Sequence, residues 1–430
     1  MRLKLLVTSA LCALACWIGM PGTALGAPPC SERVTRATIV ACALEASLTA
    51  RSEQMGVTAL DGRRKTAGVL LPSNPTLSVT GGLPADPTAT ESTPLWSAVL
   101  SQELEIGGQR GARLDVIEAE ARAQNRRVII AQRRAAADAL TAYFDAVASA
   151  EHFRITRRLT TLASALKEVA RARAEVGVGS DVDALLADAA AIRIEQTQIG
   201  AEQQAAAATA ILASLLGFDP LVSRPEVEGE LEPLPAADMS PTALVETAIA
   251  RRADLATLAA EREAQERRLK LLERQRIPNP TLSVFARRDW IGERNIGVGL
   301  SFPIPLPAPL GRTYAGEIAE TTASTGRAAV DATRLQRAIR LEVINALELV
   351  VARKRQLDLY TPDQLARAGR ALEVIKEELT AKRLPVREAV ISQQALIDLL
   401  SGHVEAKRSL CRASVDLARA AGIELDRGPQ

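Results

Sequence analysis

Apolar positions along the chain follow two rhythms, and the switches between them occur in the same order twice. From about residue 112 to 176 apolar side chains recur every three or four positions, with Leu159, Leu162, Leu166, Val169 and Val176 on one seam and Arg173 intruding on it. At a rise of 1.5 Å per residue, a helix of this length would reach roughly 95 Å. Gly177-Val178-Gly179-Ser180 breaks the pattern, and the following run, to about Leu216, carries Leu185, Ile192 and Ile199 at intervals of seven. This predicts a second helix that folds back on the first through those residues. Before the long helix the period shortens to two. Leu77, Val79 and Gly81 alternate with Thr76, Ser78 and Thr80, and after a Gly- and Pro-rich loop Trp96, Ala98 and Leu100 alternate with Ser97 and Ser101. Residues 31–65 read as helix, with Val34, Ile39, Ala43 and Leu44 on a stripe.

The second half repeats the plan. Residues 242–276 are predicted as helix, 281–287 and 295–303 as strands, and 313–381 as a long helix with Leu365, Leu372, Ile375 and Leu379 on its seam and a kink at Pro362. In the second strand Ile296, Val298, Leu300 and Phe302 alternate with Gly297, Gly299 and Ser301. The hexapeptide Asn-Pro-Thr-Leu-Ser-Val occurs at 74–79 and again at 279–284, Ala190 matches Ala395 at the same offset, and Gly217 matches Gly422. A shared offset in three places points to duplication. The organisation predicted is a first repeat at 27–217, a proline-rich connector at 218–241, a second repeat at 242–422 and a tail at 423–430. Asn74-Pro75 and Asn279-Pro280 mark the passage from helix to strand, because proline removes a donor and disfavours helical geometry in the residue before it.

Composition sharpens the picture in two respects. Aromatic residues are 3% of the chain and alanine is abundant, which suits closely packed helices better than one large core. The 53 Lys and Arg against 51 Asp and Glu leave a net charge of +2, so nothing marks a nucleic-acid partner. Arg2 and Lys4 precede an apolar run from Leu5 to about Ile18, followed by Ala24-Leu25-Gly26. Residues 1–26 therefore read as a secretory signal peptide cleaved before Ala27, too short to remain as a membrane helix. Cys16 follows Ala13-Leu14-Ala15, which places leucine wrongly for a lipoprotein signal. Removal of the signal leaves Cys30, Cys42 and Cys411; an oxidising compartment allows Cys30 to pair with Cys42, and three unpaired thiols are the alternative.

Strands of about 9 to 11 residues suit a tilted bilayer crossing. Four strands cannot close a useful barrel, and open edges in hydrocarbon leave backbone groups unsatisfied at a cost of several kcal/mol each. Two copies of the chain would give eight strands, while three would give twelve and room for a channel. Trp96 and Trp290 are candidate anchors at the membrane interfaces. A soluble sheet beneath the helices is the competing reading of the same alternation.

Three segments carry a family resemblance: Asn-Pro-Thr-Leu before each first strand; Leu100-Ser101-Gln102-Glu103-Leu104-Glu105-Ile106-Gly107-Gly108-Gln109-Arg110-Gly111-Ala112-Arg113; and Gly297-Val298-Gly299-Leu300-Ser301-Phe302-Pro303-Ile304-Pro305-Leu306 with Gly316-Glu317-Ile318-Ala319. The chain resembles the TolC-like outer membrane efflux proteins over its mature length, and within them most resembles the CzcC-type branch serving heavy-metal resistance-nodulation-division pumps. The resemblance implies a mainly α protomer with a β-barrel portion. Its long antiparallel coiled-coil helices would form a periplasmic tunnel, and its four strands would contribute to a twelve-stranded barrel in the outer membrane, closed by a homotrimer. It also implies a periplasmic adaptor and an inner-membrane pump as partners, and outer membrane lipid as surroundings. Pro307-Ala308-Pro309 departs from the family pattern at the second barrel-to-helix joint.

No phosphate loop, His-Glu-x-x-His or nucleophile elbow is present, so neither an enzyme nor a cofactor is expected. His152 and His403, the only histidines, are assigned to polar helix faces rather than to a metal site. A conduit has no need to ligate its cargo tightly. The remaining chemistry lies at the helix-to-helix turns. Asp181, Asp183 and Asp188 are candidates for acidic rings at a periplasmic aperture, with Lys382, Arg383 and Arg387 as counter-charges. The structural alternative for Asp181 or Asp183 is capping of the helix they begin. The functional readings are an efflux duct for metal cations, a TolC-type duct for drugs or proteins, and a soluble periplasmic scaffold.

Overall fold

In the computed structural model the described residues are 30, 33–82, 94–235, 240–289, 293–380 and 385–425, with the backbone alone at 372, 373, 376, 379 and 380. The signal-peptide reading of 1–26 and the tail beyond 425 lie outside them. In chain order the elements are β1 (Arg33–Val34), α1 (Ile39–Ala46), α2 (Leu48–Ala67), β2 (Thr76–Gly82), β3 (Leu95–Glu103), α3 (Gln109–Glu175), α4 (Asp181–Leu215), β4 (Glu226–Val227), α5 (Pro241–Arg251), α6 (Ala253–Gln275), β5 (Thr281–Arg288), β6 (Arg294–Ser301), α7 (Ala315–Asp358), α8 (Pro362–Thr380) and α9 (Val386–Ala420).

The 67-residue α3 is the spine. At the standard helical rise it extends about 100 Å. Along its first half it packs on α2 and α6, through charged pairs such as Arg63–Glu120 and Arg122–Glu263, and along its second half on α4 and α9. Alanines at 119, 123, 131, 136, 139, 142, 146, 163 and 170 are buried on it, so neighbouring helices approach closely on several sides. Midway along the spine the larger apolar side chains gather. Leu140, Tyr143 and Phe144 pack with Leu212 and Leu216 near the end of α4, Leu244 of α5, Ile339 of α7 and Leu417 of α9. The Tyr143 and Phe144 rings meet edge to face, with centroids 5.5 Å apart.

Both folding-back helices stop in the same way. Gly217 and Gly422 adopt φ of 78° and 67°, while Phe218 N–H bonds Ala213 O and Ile423 N–H bonds Ala418 O. This six-to-one closure requires a left-handed residue, which is why glycine occupies both positions.

The N-terminal segment differs from the single helix expected over 31–65. Arg33–Val34 is a short strand pairing in parallel with Glu226–Val227 in the proline-rich connector, and Val34 is fully buried. Ser47 is extended, and its hydroxyl accepts from Ala50 N–H at 3.2 Å, so it ends one helix and caps the next. Cys30 and Cys42 form a disulfide across a Cα–Cα distance of 5.6 Å, which ties the chain start to α1. Cys411 is a free buried thiol whose pKa is pushed up to about 12 by burial. In the second half the expected kink is a full interruption, with α7 ending at Asp358 and Pro362 opening α8, where a missing N–H costs nothing.

The four long strands form one antiparallel sheet in the order β2-β3-β5-β6. Among the described residues they span seven to nine residues, with β3 reaching the length of about nine expected for a crossing strand and the other three falling short of it. Among the described residues the outer edges of β2 and β6 have no strand partner.

Tyr143 fastens the connector to the spine by donating its hydroxyl hydrogen to Glu228 O at 2.9 Å. A Cβ at Gly229, where φ is 141°, would lie 2.0 Å from that hydroxyl. Tyr143→Phe is expected to cost about 1 kcal/mol, and Gly229→Ala more. In the double variant part of the alanine cost should be recovered, because the oxygen it meets is gone; additive losses in thermal unfolding would refute this contact.

Candidate functional site

The sheet has two chemically distinct faces. Register places Leu77, Leu100, Val284 and Val298 in one cross-strand row and Val79, Ala98, Ala286 and Ile296 in the next, all on the same face. Ile296 is 83% exposed and Val298 77% exposed, so this face has no cover within the chain. On the other face Thr76, Ser101, Ser283 and Gly299 form one row and Thr80, Ser97, Arg287 and Asn295 another. Phe285 is the large exception there, lying over Gly297, where a Cβ would come within 2.6 Å of its ring. Trp96 sits on the apolar face, half exposed; Trp290 lies outside the described residues.

Where sheet meets helices, the two copies of the hexapeptide behave differently. Asn279 is held in a polar network: its amide donates to Glu103 Oε1 at 2.8 Å, and its Oδ1 accepts from Gln109 Nε2 at 2.9 Å. Gln109, the first residue of α3, also donates to Ile277 O at 3.2 Å and accepts from Gly107 N–H at 2.9 Å. Leu104 N–H bonds the carbonyl of Pro280, the buried proline of the motif. One side-chain knot thus joins the end of β3, the start of α3 and the start of β5. Asn74 and Pro75 are exposed, and among the described residues Asn74 makes no side-chain hydrogen bond. The repeated hexapeptide pointed to both junctions, but Glu103 and Gln109 were missed, since only β3–β5 pairing brings them to the second copy.

At the opposite end of α3, Val178 N–H and Gly179 N–H bond Arg173 O at 3.0 and 2.8 Å, and Ser180 Oγ accepts from Val182 N–H at 3.1 Å. Ser180 is therefore the cap of α4. Asp181 and Asp183 stand in its first turn, where the helix dipole favours negative charge, and have no ion-pair partner among the described residues. Asp188 is placed otherwise. Its carboxylate accepts from Lys167 Nζ at 2.8 Å and Arg171 Nη2 at 3.2 Å, bridging α4 to α3 within one chain. The hydrogen bond from Lys167, with the two positive charges, holds its pKa below the ordinary carboxylate value. Lys167 and Arg171 were not singled out from sequence; their spacing of four and nearly mirrored distance from the turn are the signal. Arg387 is exposed in the first turn of α9, while Lys382 and Arg383 lie outside the described residues.

The seam expected on α4 does not face α3. Leu185, Ile192 and Ile199 are 69%, 50% and 60% exposed, whereas the contact with α3 uses Ala187, Ala191, Ile194 and Ala201. Alanine permits the closer approach, so the larger side chains are left on the outer face. The wall presents a matching surplus on α7, where Val330, Leu341 and Ile344 are exposed.

A groove of about 1010 Å³ runs between α3, α4 and α9. Its floor holds Asp145, 3.5 Å from Arg412 Nη1, and His152 lines it beside Glu405 and Arg408. Burial raises the Asp145 pKa against the pull of Arg412 and Arg408, and burial lowers that of His152. His403 packs on Tyr360 with ring centroids 5.7 Å apart. Both histidines are half-buried, His152 among the charged side chains of the groove. Among the described residues no group of three or more His, Cys, Asp or Glu side chains is placed to hold a metal ion, and no helix is long and apolar enough to cross a membrane.

The arrangement of sheet, spine and folded-back helices is similar to that of solved outer membrane channels. Residues 72–218, about a third of the chain, match the sequence profile of the family described as Outer membrane efflux protein. The fold is similar to the outer-membrane channel OprN, with a TM-score of 0.70 and 16% identity over 91% of each chain. It is similar to CusC, described in connection with transmembrane channel formation, with a TM-score of 0.70 and 14% identity over 90% of this chain and 92% of that one. The open state of the Neisseria gonorrhoeae MtrE outer membrane channel matches with a TM-score of 0.68 and 14% identity over 92% of this chain and 90% of that one. At these identities the likeness defines the fold alone: a mainly helical chain whose four-stranded sheet does not close on itself. No curated protein sequence matches the chain significantly.

Asn279→Ala strands Glu103 and Gln109 and is expected to cost about 1–3 kcal/mol, while Asn74→Ala should stay within about 0.5 kcal/mol. Equal shifts in thermal unfolding of the detergent-solubilised protein would contradict the inequivalence of the two junctions. The Asp188 bridge, with a depressed folded pKa, stabilises the turn above the ordinary carboxylate range of about pH 4 and is lost as pH falls through the folded value. Protease cleavage at 176–180 should therefore accelerate on acidification in the wild type and show no such step in Asp188→Asn.

Proposed function

We propose that this chain is the outer membrane subunit of a tripartite efflux system, a homotrimer that passively conducts substrate from a periplasmic adaptor and an inner-membrane resistance-nodulation-division pump to the exterior. The observation that carries this reading is the sheet: four strands, apolar on one face and polar on the other, with both edges unpaired. In hydrocarbon every backbone donor and acceptor must be satisfied, so β6 of one copy must pair with β2 of the next. Three copies close twelve strands around a lumen lined by the polar face. The outward stripes on α4 and α7 suit the same closure, since Leu185, Ile192 and Ile199 of one copy can cover the α7 surplus of its neighbour.

The transported class is heavy-metal cations, a reading supported by the resemblance of the three segments to the CzcC-type branch. Asp181 and Asp183, repeated threefold at the periplasmic end, supply a cation-favouring ring without a tight binding site. Arg387, with Lys382 and Arg383, acts as counter-charge in the closed aperture. Asp188 serves the wall of the hairpin through Lys167 and Arg171. The signal peptide 1–26 directs export, and the repeats 27–217 and 242–422 each contribute one hairpin and one folded-back helical pair around the connector 218–241.

The seam between copies has a specific register. Within the chain Ser101 opposes Ser283. The repeat equates Ser283 with Ser78 and Ser101 with Ser301, so Ser78 should oppose Ser301 of the next copy. A Ser78→Cys/Ser301→Cys protein is expected to give disulfide-linked dimers and trimers on non-reducing gels, while each single variant stays monomeric; among the described residues the native cysteines are paired or buried. Absence of the cross-link, or fractionation without detergent, would sink the channel reading. For the substrate, a deletion strain should become sensitive to metal cations rather than to dyes and detergents. Unchanged single-channel conductance in Asp181→Ala and Arg383→Ala would remove the aperture assignment.

A further inference from the structure

We propose that Arg288 and Arg294 together hold the phosphate of a lipid headgroup in the outer leaflet, an inference that rests on the channel reading because that reading sets this face of the sheet against lipid. Arg288 ends β5 and Arg294 begins β6, and the two are directly opposed in register. Both lie on the apolar face, in the row next to Ala286 and Ile296, and Trp96 pairs with Arg288 from the other side. Like charges directly opposed on a sheet repel. Neither guanidinium has an ion-pair partner among the described residues. Of the adjacent acids, Asp289 accepts from Glu293 N–H through Oδ1 at 3.0 Å while its own N–H bonds Glu293 O at 3.1 Å, and among the described residues neither Asp289 nor Glu293 forms an ion pair with the arginines. Arg288 Nε is shielded from solvent and has no hydrogen-bond partner.

The height of the pair on the sheet selects the ligand. From Phe302 to Arg294 the chain rises roughly 26 Å along the strand, or roughly 20 Å along the membrane normal at a tilt of about 40°, which spans most of the apolar band of about 25 Å in membrane barrels. The arginines stand at the end of that band farthest from the helices, level with a tryptophan, where aromatic side chains meet headgroups. A cation costs little at that depth. The planar guanidinium presents paired donors matched to phosphate oxygens, so one phosphate between the two arginines replaces a repulsion with charge-assisted hydrogen bonds. Arg287, one residue earlier, is on the lumen face and lies over the Phe285 ring at 5.7 Å, which makes it the internal control.

The test uses full-length protein in phosphatidylcholine nanodiscs containing lipid A, with the lipid retained after transfer to detergent counted by native mass spectrometry. Wild type and Arg287→Gln should retain lipid A. Arg288→Gln/Arg294→Gln should lose it by about tenfold or more, the loss of a charged hydrogen bond of about 1.5–3 kcal/mol, and Arg288→Lys/Arg294→Lys should fall between. Equal retention in the glutamine and wild-type proteins, retention independent of lipid A phosphorylation, or displacement by excess inorganic phosphate would overturn the proposal. Each variant is also built on Ser78→Cys/Ser301→Cys. Failure of the channel reading abolishes that cross-link in all of them, whereas failure of the lipid proposal leaves it intact. If the glutamine variant does not assemble, the lysine variant decides, since it keeps the charge and loses only the fork.

Discussion

On the channel reading, a sheet of four strands would lie in hydrocarbon, where no edge can stay unpaired, and the rest of this molecule suits that constraint. Among the described residues β2 and β6 leave their outer edges unpaired, and on that reading a neighbouring copy would complete them. The hairpins must then lie side by side within one chain, which the β3–β5 ladder accomplishes. That ladder in turn brings Asn279 under Glu103 and Gln109 and fixes the start of α3 to the sheet. From this point the spine carries the alignment down its whole length through small-residue contacts. The bulky core is confined to the middle, where α1, α5, the connector and the ends of α4 and α9 converge. Bulk there locks the angle between rods without thickening them elsewhere.

Much of this was legible in the sequence because periodicity reports burial, and burial is simple in rods and hairpins. The alternation of Ile296, Val298, Leu300 and Phe302 assigned β6 and its outward face together. Gly217 and Gly422 marked helix ends because the left-handed closure leaves few alternatives. What escaped detection depended on which neighbour a face meets. The heptad of Leu185, Ile192 and Ile199 was a true seam pattern assigned to the wrong partner, since spacing shows that a face is apolar and not what covers it. Alanines, which make the actual α3–α4 contact, carry little periodic signal. The Val34 strand was invisible for the same reason: two residues of pairing, with a partner nearly two hundred positions away, leave no local pattern.

The candidate site divides along a similar line. Asp181, Asp183 and Asp188 looked equivalent as charges near a turn. They separate once the helix pair forms, because Asp188 falls opposite Lys167 and Arg171 and becomes part of the wall. The surroundings of the histidines likewise emerge only from packing: a groove between three helices half-buries His152, and the Tyr360 ring lies against His403. Charge near a turn is readable from sequence; engagement of that charge is a property of the packed pair.

The unequal hexapeptides have a mechanical meaning. Within a chain the junction of sheet and rods is tied by Asn279, Gln109 and Glu103, while the equivalent junction at Asn74 is bare. At the corresponding place in the second repeat, proline follows the strand where the first repeat has Glu103, so a neighbouring copy brings no carboxylate to meet Asn74. On the proposed trimeric reading, a closed ring of such chains would be a cask of three rigid staves joined at three compliant seams. Torque arriving from the periplasmic end would be absorbed as slip between staves, and each stave would turn as a unit.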